Sequence, residues 1–374
     1  MITTPQARTL ERKSVVYNFS AGPAMLPAPV LKKAQSELIN WRGLGISVME
    51  ISHRDPVYLQ MTEECEQDLR DLMSIPSNYA VLFMHGGGRG QFSALPQNLA
   101  KGDDQLDYLN TGIWSDYAIR EAKKYVRQVN SLNVMGEEDG LKCVKPQAEW
   151  QLNANAAYFH YCPNETVDGI ALHQVPEVSV PVVADMSSVI LSEPLDVSKF
   201  GVIYAGAQKN IGPSGFAVVI IRKDLLETQQ ERVCTVMNYK VQAEEKSLYN
   251  TPNTFAWYLA AEVFKWVKAE GGLAAMAELN QRKSALLYEC VDNSRFYRNT
   301  IHGRNRSKMN IPFQLADESL NAQFLKEAEA EGLIMLKGHR FVGGMRASMY
   351  NAMPYAGAQA LVDFMTRFEK AYAK

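Results

Sequence analysis

Cysteine is scarce in this chain, with five in 374 residues, at positions 65, 143, 162, 234 and 290. No two of them form a Cys-x-x-Cys pair, so neither a zinc knuckle nor a disulfide framework is indicated, and reduced thiols in a cytoplasmic protein are expected. The six histidines include no His-Glu-x-x-His, so no metal site is expected. No Gly-Lys pair occurs anywhere, which excludes a Walker phosphate loop. The longest apolar runs, such as Phe216 to Ile221, are far too short to span a bilayer. A net charge of -2 gives no bulk attraction to nucleic acid or anionic membranes. The first 14 residues, MITTPQARTLERKS, lack the apolar stretch of a signal peptide and are expected to form a loosely held arm.

What is present is an ordinary globular chain, 47% apolar and 21% charged, long enough for two domains or one large one. Short apolar segments alternate with helical periodicity. Ala80 to Met84, Leu106 to Leu109, Ala157 to Tyr161, Val182 to Ala184 and Val202 to Ala205 read as strands. Pro56 to Met73 reads as a helix capped by Asp55, with Tyr58, Met61, Cys65, Leu69 and Leu72 on one face; Ser115 to Tyr125 reads as another. Strands alternating with helices predict an α/β fold with a mostly parallel sheet covered on both faces. From about 255 the texture shifts to two long helices and then shorter strands and helices. The expected division is an arm over 1–14, a large domain over 15–255 and a smaller α+β domain over 256–374.

In open α/β sheets ligands bind beyond the carboxyl ends of the strands. After the first strand comes HGGGRGQF, whose glycines and following helix would present backbone N–H groups to an anion. The same turn also serves plain packing, and it is not GxGxxG, because Gln91 stands at the last glycine position. Trp114 follows the next strand, either as core or as a ring for stacking on a planar ligand. Thr166 sits in CPNETVDG, a run rich in turn formers. Asp185 closes a buried strand, where an isolated charge needs a partner. Lys209 lies in GAQKNIGPSG, between two core strands. Desolvation lowers a lysine pKa and frees its amine for attack on a carbonyl.

Taken together these groups describe one ligand. An anion cradle, a flat ring, a hydroxyl, an acid and an imine-forming lysine match pyridoxal 5'-phosphate. Asp185 would keep the pyridine nitrogen protonated, and Lys209, once displaced by a substrate amine, would serve as general base at Cα.

The stretches NFSAGPAMLP (18–27), SVMEISHR (47–54), HGGGRGQF (85–92), CPNETVDGI (162–170), GVIYAGAQKNIGPSG (201–215), YNTPNTFAWY (249–258) and LKGHRFVGGMRASMYNAMP (336–354) together resemble the phosphoserine aminotransferase family. The resemblance runs in unbroken order from about residue 15 to the C-terminus. It implies a homodimer of the aspartate-aminotransferase fold type, with a seven-stranded type of sheet in the large domain. It also implies amino transfer from L-glutamate to 3-phosphohydroxypyruvate, giving O-phospho-L-serine and 2-oxoglutarate, in serine synthesis and in many bacteria also in vitamin B6 (pyridoxine) synthesis.

By the same resemblance Lys209 is the Schiff-base lysine, Asp185 the partner of the ring nitrogen, Trp114 the stacking ring and Thr166 the contact to the ring hydroxyl. Gly88, Arg89 and Gln208 would hold the cofactor phosphate, joined by Asn250 and Thr251 from a second subunit. Arg346 would bind the substrate α-carboxylate. His53, Arg54, Arg89, His339 and Arg340 would surround the distal anion, some from the neighbouring chain. Arginine forks suit two anionic tails of different shape. Ala21 departs from members that carry serine there, which puts a minor glutamate contact in doubt. A serine–glyoxylate aminotransferase or a cysteine desulfurase of the same fold type, or a non-catalytic phosphate-binding protein, are the rival readings. The basic set and the lack of a cysteine in a glycine-rich loop weigh against them.

Overall fold

The computed structural model describes residues 15–227 and 233–373. The expected N-terminal arm, residues 1–14, lies outside them. A seven-stranded sheet forms the centre, in the spatial order Tyr79–Met84, Ala217–Arg222, Val202–Gly206, Val182–Asp185, Phe159–Tyr161, Gln105–Asn110, Gln128–Asn133. Ala217–Arg222 runs antiparallel to both neighbours and the remaining pairs are parallel. The α/β expectation and its largely parallel sheet are therefore met.

Both faces of this sheet are buried, and the strand period of two decides which side chain goes where. Val81, Phe83, Ile203, Ala205, Val218 and Ile220 join one apolar cluster. Their alternates Leu82, Met84, Val202, Tyr204, Val219 and Ile221 join another on the opposite face. Helix Pro56–Met73 packs into the first cluster through Tyr58, Met61, Cys65 and Leu69. Its start is fixed by Asp55, whose carboxylate accepts the Val57 amide at 2.8 Å. Helix Thr254–Ala269 joins the same cluster, and Trp257 stacks on Phe83 with centroids 4.4 Å apart.

A third apolar cluster lies under a small antiparallel sheet of Tyr297–Arg298, Asn310–Leu315 and Met345–Ser348. Phe313, Phe324, Phe364 and Phe368 fill it, with helices Gly272–Asp292, Asn321–Ala330 and Tyr355–Tyr372 around them. Phe19 reaches this cluster from the start of the chain, because Tyr17–Asn18 pairs with Leu333–Ile334. Among the described residues no helix is long and apolar enough to cross a membrane.

Candidate active site

The strands Tyr79–Met84, Val202–Gly206 and Val182–Asp185 all end at one edge of the sheet, and the segments that follow them enclose a cavity of about 400 Å³. A cavity of that size is typical of a site for a small ligand or cofactor. After Met84 the chain turns through Gly86 and Gly87, at φ 83° and 61°, a backbone that side chains rarely tolerate. That turn starts helix Gly87–Leu99 at the cavity wall. The first-turn amides of a helix have no intrahelical acceptor and attract anions. Gly206 brings the end of strand Val202–Gly206 close to this turn: a Cβ there would lie 2.7 Å from Gln208 Oε1 and 3.1 Å from the Gly88 amide. Gly88, Arg89 and Gln208 thus form one end of the cavity.

Lys209 projects into the middle, and its Nζ donates a 2.7 Å hydrogen bond to Thr166 Oγ1. The same Nζ stands 5.8 Å from the centre of the Trp114 ring. The helix carrying Trp114 begins at Ile113, not Ser115, so the indole belongs to the first helical turn and not to the strand end. Arg89 lies 5.5 Å from the same ring and 4.7 Å from that of Tyr117. Asp185 also lines the cavity and accepts the Ser187 amide at 2.9 Å.

Burial dominates the electrostatics. It pushes the Lys209 pKa down to about 8; Arg346 lowers it too, and Asp185 works against the shift. Burial also raises Asp185, opposed by the Ser187 hydrogen bonds and by Lys209. The site therefore holds a lysine close to releasing its proton and an acid whose charge calls for a cationic partner.

Arg346 lies beside this cavity. It sits on Met345–Ser348, paired in register with Pro312, and its Nη1 reaches the Thr166 carbonyl at 3.5 Å. Its Nε is buried with no partner among the described residues, as are Trp114 Nε1 and His53 Nε2. His339 is half-buried and Arg340 exposed, on the turn that leads into the same strand. Burial, Arg346 and Arg340 all lower the His339 pKa. His53, Arg54, Asn250 and Thr251 do not line the cavity. Asn250 instead faces His85, with Oδ1 3.2 Å from its Nε2, and Arg54 and Thr251 are exposed.

Sequence reasoning passed over Glu165. Its carboxylate is fully buried and accepts the amides of Trp114 and Ser115 at 3.0 and 2.9 Å and the Ser115 hydroxyl at 2.7 Å. Burial raises its pKa to about 7 against those bonds. Gly112 permits this approach, because a Cβ there would lie 2.7 Å from Glu165 Cδ and 2.8 Å from Asp168 Oδ2. The available signal was a glutamate within the turn-forming CPNETVDGI stretch.

The family model for class-V aminotransferases matches residues 16–361. A phosphoserine aminotransferase of Idiomarina loihiensis is 64% identical over 357 residues, which covers 96% of this chain and 99% of that relative. The chain belongs to the phosphoserine aminotransferase family of class-V aminotransferases. Among solved structures, this class-V aminotransferase is similar to the phosphoserine aminotransferase of Bacillus circulans subsp. alkalophilus. That match has 42% identity and a TM-score of 0.91, and covers 96% of this chain and 99% of that one. A pyridoxal-phosphate-bound phosphoserine aminotransferase from Trichomonas vaginalis matches at 42% identity and TM-score 0.89, covering 94% of this chain and 100% of that one. The cavity at the strand ends is thus the candidate active site of a class-V aminotransferase.

Proposed function

We propose that this chain is a pyridoxal 5'-phosphate-dependent phosphoserine aminotransferase, moving an amino group from L-glutamate to 3-phosphohydroxypyruvate. The observation that carries the reading is the buried Lys209 amine, held by Thr166 in a cavity walled by Trp114, Asp185 and a glycine-rich helix start. The residues present fit the cofactor. The helix start with Gly88, Arg89 and Gln208 suits its phosphate, the Trp114 ring suits its face, and the buried Asp185 carboxylate suits a protonated ring nitrogen. When bound, pyridoxal phosphate supplies an electron sink for the Cα–H bond of an amino acid.

The chain's own groups do the rest. Asp185 would hold a proton at the ring nitrogen of the bound cofactor, and Thr166 would contact its ring hydroxyl. Lys209, its pKa lowered to about 8, takes and returns the proton at the substrate Cα. Arg346 holds the α-carboxylate, using an Nε that has no partner among the described residues. Arg89, His339 and Arg340, with His53 and Arg54, meet the phosphate or γ-carboxylate tail.

A homodimer with shared sites accounts for the residues that lie away from this cavity. Leu38, Ile39, Leu44, Ile46 and Met49 are exposed along one segment, with Ile39 81% accessible, just before His53 and Arg54. A second copy covering this apolar stretch would also let Asn250 and Thr251 reach its cofactor phosphate. We place two domains in the chain, a large cofactor-binding one over 15–255 and a smaller one over 256–374. A cytoplasmic location and a second role in vitamin B6 synthesis belong to the same reading.

The test is steady-state amino transfer to 2-oxoglutarate from O-phospho-L-serine and from L-serine. Strong preference for the phosphorylated donor is expected; equal activity with serine would remove the substrate assignment.

A further inference from the structure

Four buried polar side chains join the lysine loop to the turn that leaves the small sheet. Asn210, the residue after Lys209, accepts the Asn351 backbone amide at 3.0 Å and donates to the Ile190 carbonyl at 2.9 Å. The Asn351 side chain donates to the Leu191 carbonyl at 2.7 Å and accepts from Asn280 Nδ2 at 2.8 Å; Asn280 Nδ2 also lies 3.1 Å from the Ser192 carbonyl. Lys283, one helical turn beyond Asn280, donates from Nζ to the carbonyls of Met349, Tyr350 and Met353 at 3.3, 2.8 and 2.9 Å. Asn210, Asn280, Lys283 and Asn351 are each 4% exposed or less. Leu191, at φ 61°, holds the left-handed backbone that points its carbonyl at Asn351.

This network has an unusual member. A fully buried lysine with no carboxylate in reach is costly, and surface solvation would be the ordinary solution. Here three carbonyls match the three N–H groups of an ammonium. Those carbonyls belong to the turn that leaves strand Met345–Ser348, the strand that carries Arg346. The turn has further anchors: the Tyr350 hydroxyl donates to the Ala21 carbonyl at 2.8 Å and accepts from Asn310 Nδ2 at 3.1 Å, and the Met349 amide donates to the Met309 carbonyl at 2.8 Å. Among the described residues every polar atom of these four side chains is paired except Asn280 Oδ1; such a network resists deformation more than an apolar contact of equal area, because each displaced member leaves an unpaired group in a low dielectric.

We infer that Lys283 and Asn351 are positioning residues that lock the exit of the Arg346 strand to the Lys209 loop, so that the proton-moving amine and the carboxylate-binding guanidinium keep one fixed separation. This rests on the roles proposed above for Lys209 and Arg346. It also means that any closure of the small unit on a substrate pivots elsewhere than at this junction.

The experiment compares the unaltered holoenzyme with Lys283→Met, which keeps the length and removes the donors, and with Asn351→Ala. Both variants are expected to raise KM for glutamate and for phosphoserine by about tenfold, a smaller effect than removing the guanidinium outright, with the cofactor absorption band unchanged. Backbone amides over 345–353 are expected to exchange faster in both, with and without cofactor. Native KM values, or native exchange over that segment with only a lower melting temperature, would overturn the inference and leave a purely structural role. If the unaltered enzyme used no phosphoserine, the functional reading would fail by itself, while the exchange comparison would still decide whether the lock exists.

Discussion

Lys209 Nζ hydrogen-bonds Thr166 Oγ1 at 2.7 Å inside a cavity that Asp185 also lines. The two residues come from different loops, 43 positions apart in the chain. The parallel sheet brings them together, because strands Phe159–Tyr161, Val182–Asp185 and Val202–Gly206 lie side by side and end at the same edge. Chemistry that needs an amine, a hydroxyl and an acid around one ring is therefore a consequence of strand order.

Replacing Lys209 by alanine should leave the fold intact and remove turnover, since among the described residues the amine makes one hydrogen bond, to Thr166, and otherwise faces the Trp114 ring. A loss of at least about 10²–10⁴-fold is expected for a general base. Steady-state rates together with far-UV circular dichroism check this. Substantial residual activity would contradict the role.

The lowered Lys209 pKa also predicts a pH effect on the cofactor-free protein. The unfolded amine titrates near 10.5 and the folded one near 8, so between these values the unfolded state holds the extra proton. Stability carried by this group therefore rises as pH increases from 8 towards 10.5, by at most about 3 kcal/mol. Below pH 8 the penalty for the buried charge is fully present. Melting temperatures of the unaltered protein minus those of Lys209→Ala should grow across that window; a flat difference would contradict the burial argument.

Arg346→Ala should weaken both amino-acid donors together, because one guanidinium would serve the α-carboxylate they share. Loss of a charge-assisted fork with its partner left unpaired costs about 2–5 kcal/mol. Parallel increases in KM for glutamate and phosphoserine are the expected result, and an unchanged KM for both would remove the assignment.

Much of this site was legible before any fold was known, because ligands gather at strand ends and each strand was apolar enough to mark. Lys209 and Asp185 stood out as charges against buried strands. Trp114 did not, since an indole at a strand end suits a core equally well. Glu165 was hidden for a physical reason: its partners are the amides and hydroxyl of Trp114 and Ser115, 50 or more residues earlier, and a carboxylate that caps a distant helix leaves no local pattern. The edge strand Gln128–Asn133 was also missed, because its sequence QVNSLN is polar and carries only a weak alternation. The short parallel pairing of Tyr17–Asn18 with Leu333–Ile334 was not legible either, because two residues on each side carry no periodicity.

Gly112→Ala tests the hidden part. Its new Cβ would fall within 2.8 Å of both Glu165 and Asp168, which must shift and take the Trp114 turn with them. Overpacking of this kind costs about 1–3 kcal/mol. A lower melting temperature and a changed indole fluorescence are expected; native values for both would show that the two carboxylates yield without cost.

The most direct measurement is chemical. Purified holoenzyme treated with borohydride, digested and mapped by mass spectrometry should carry a reduced pyridoxyl group on Lys209, with the yellow colour bleached. A label on any other lysine, or no label on an active enzyme, would contradict the account.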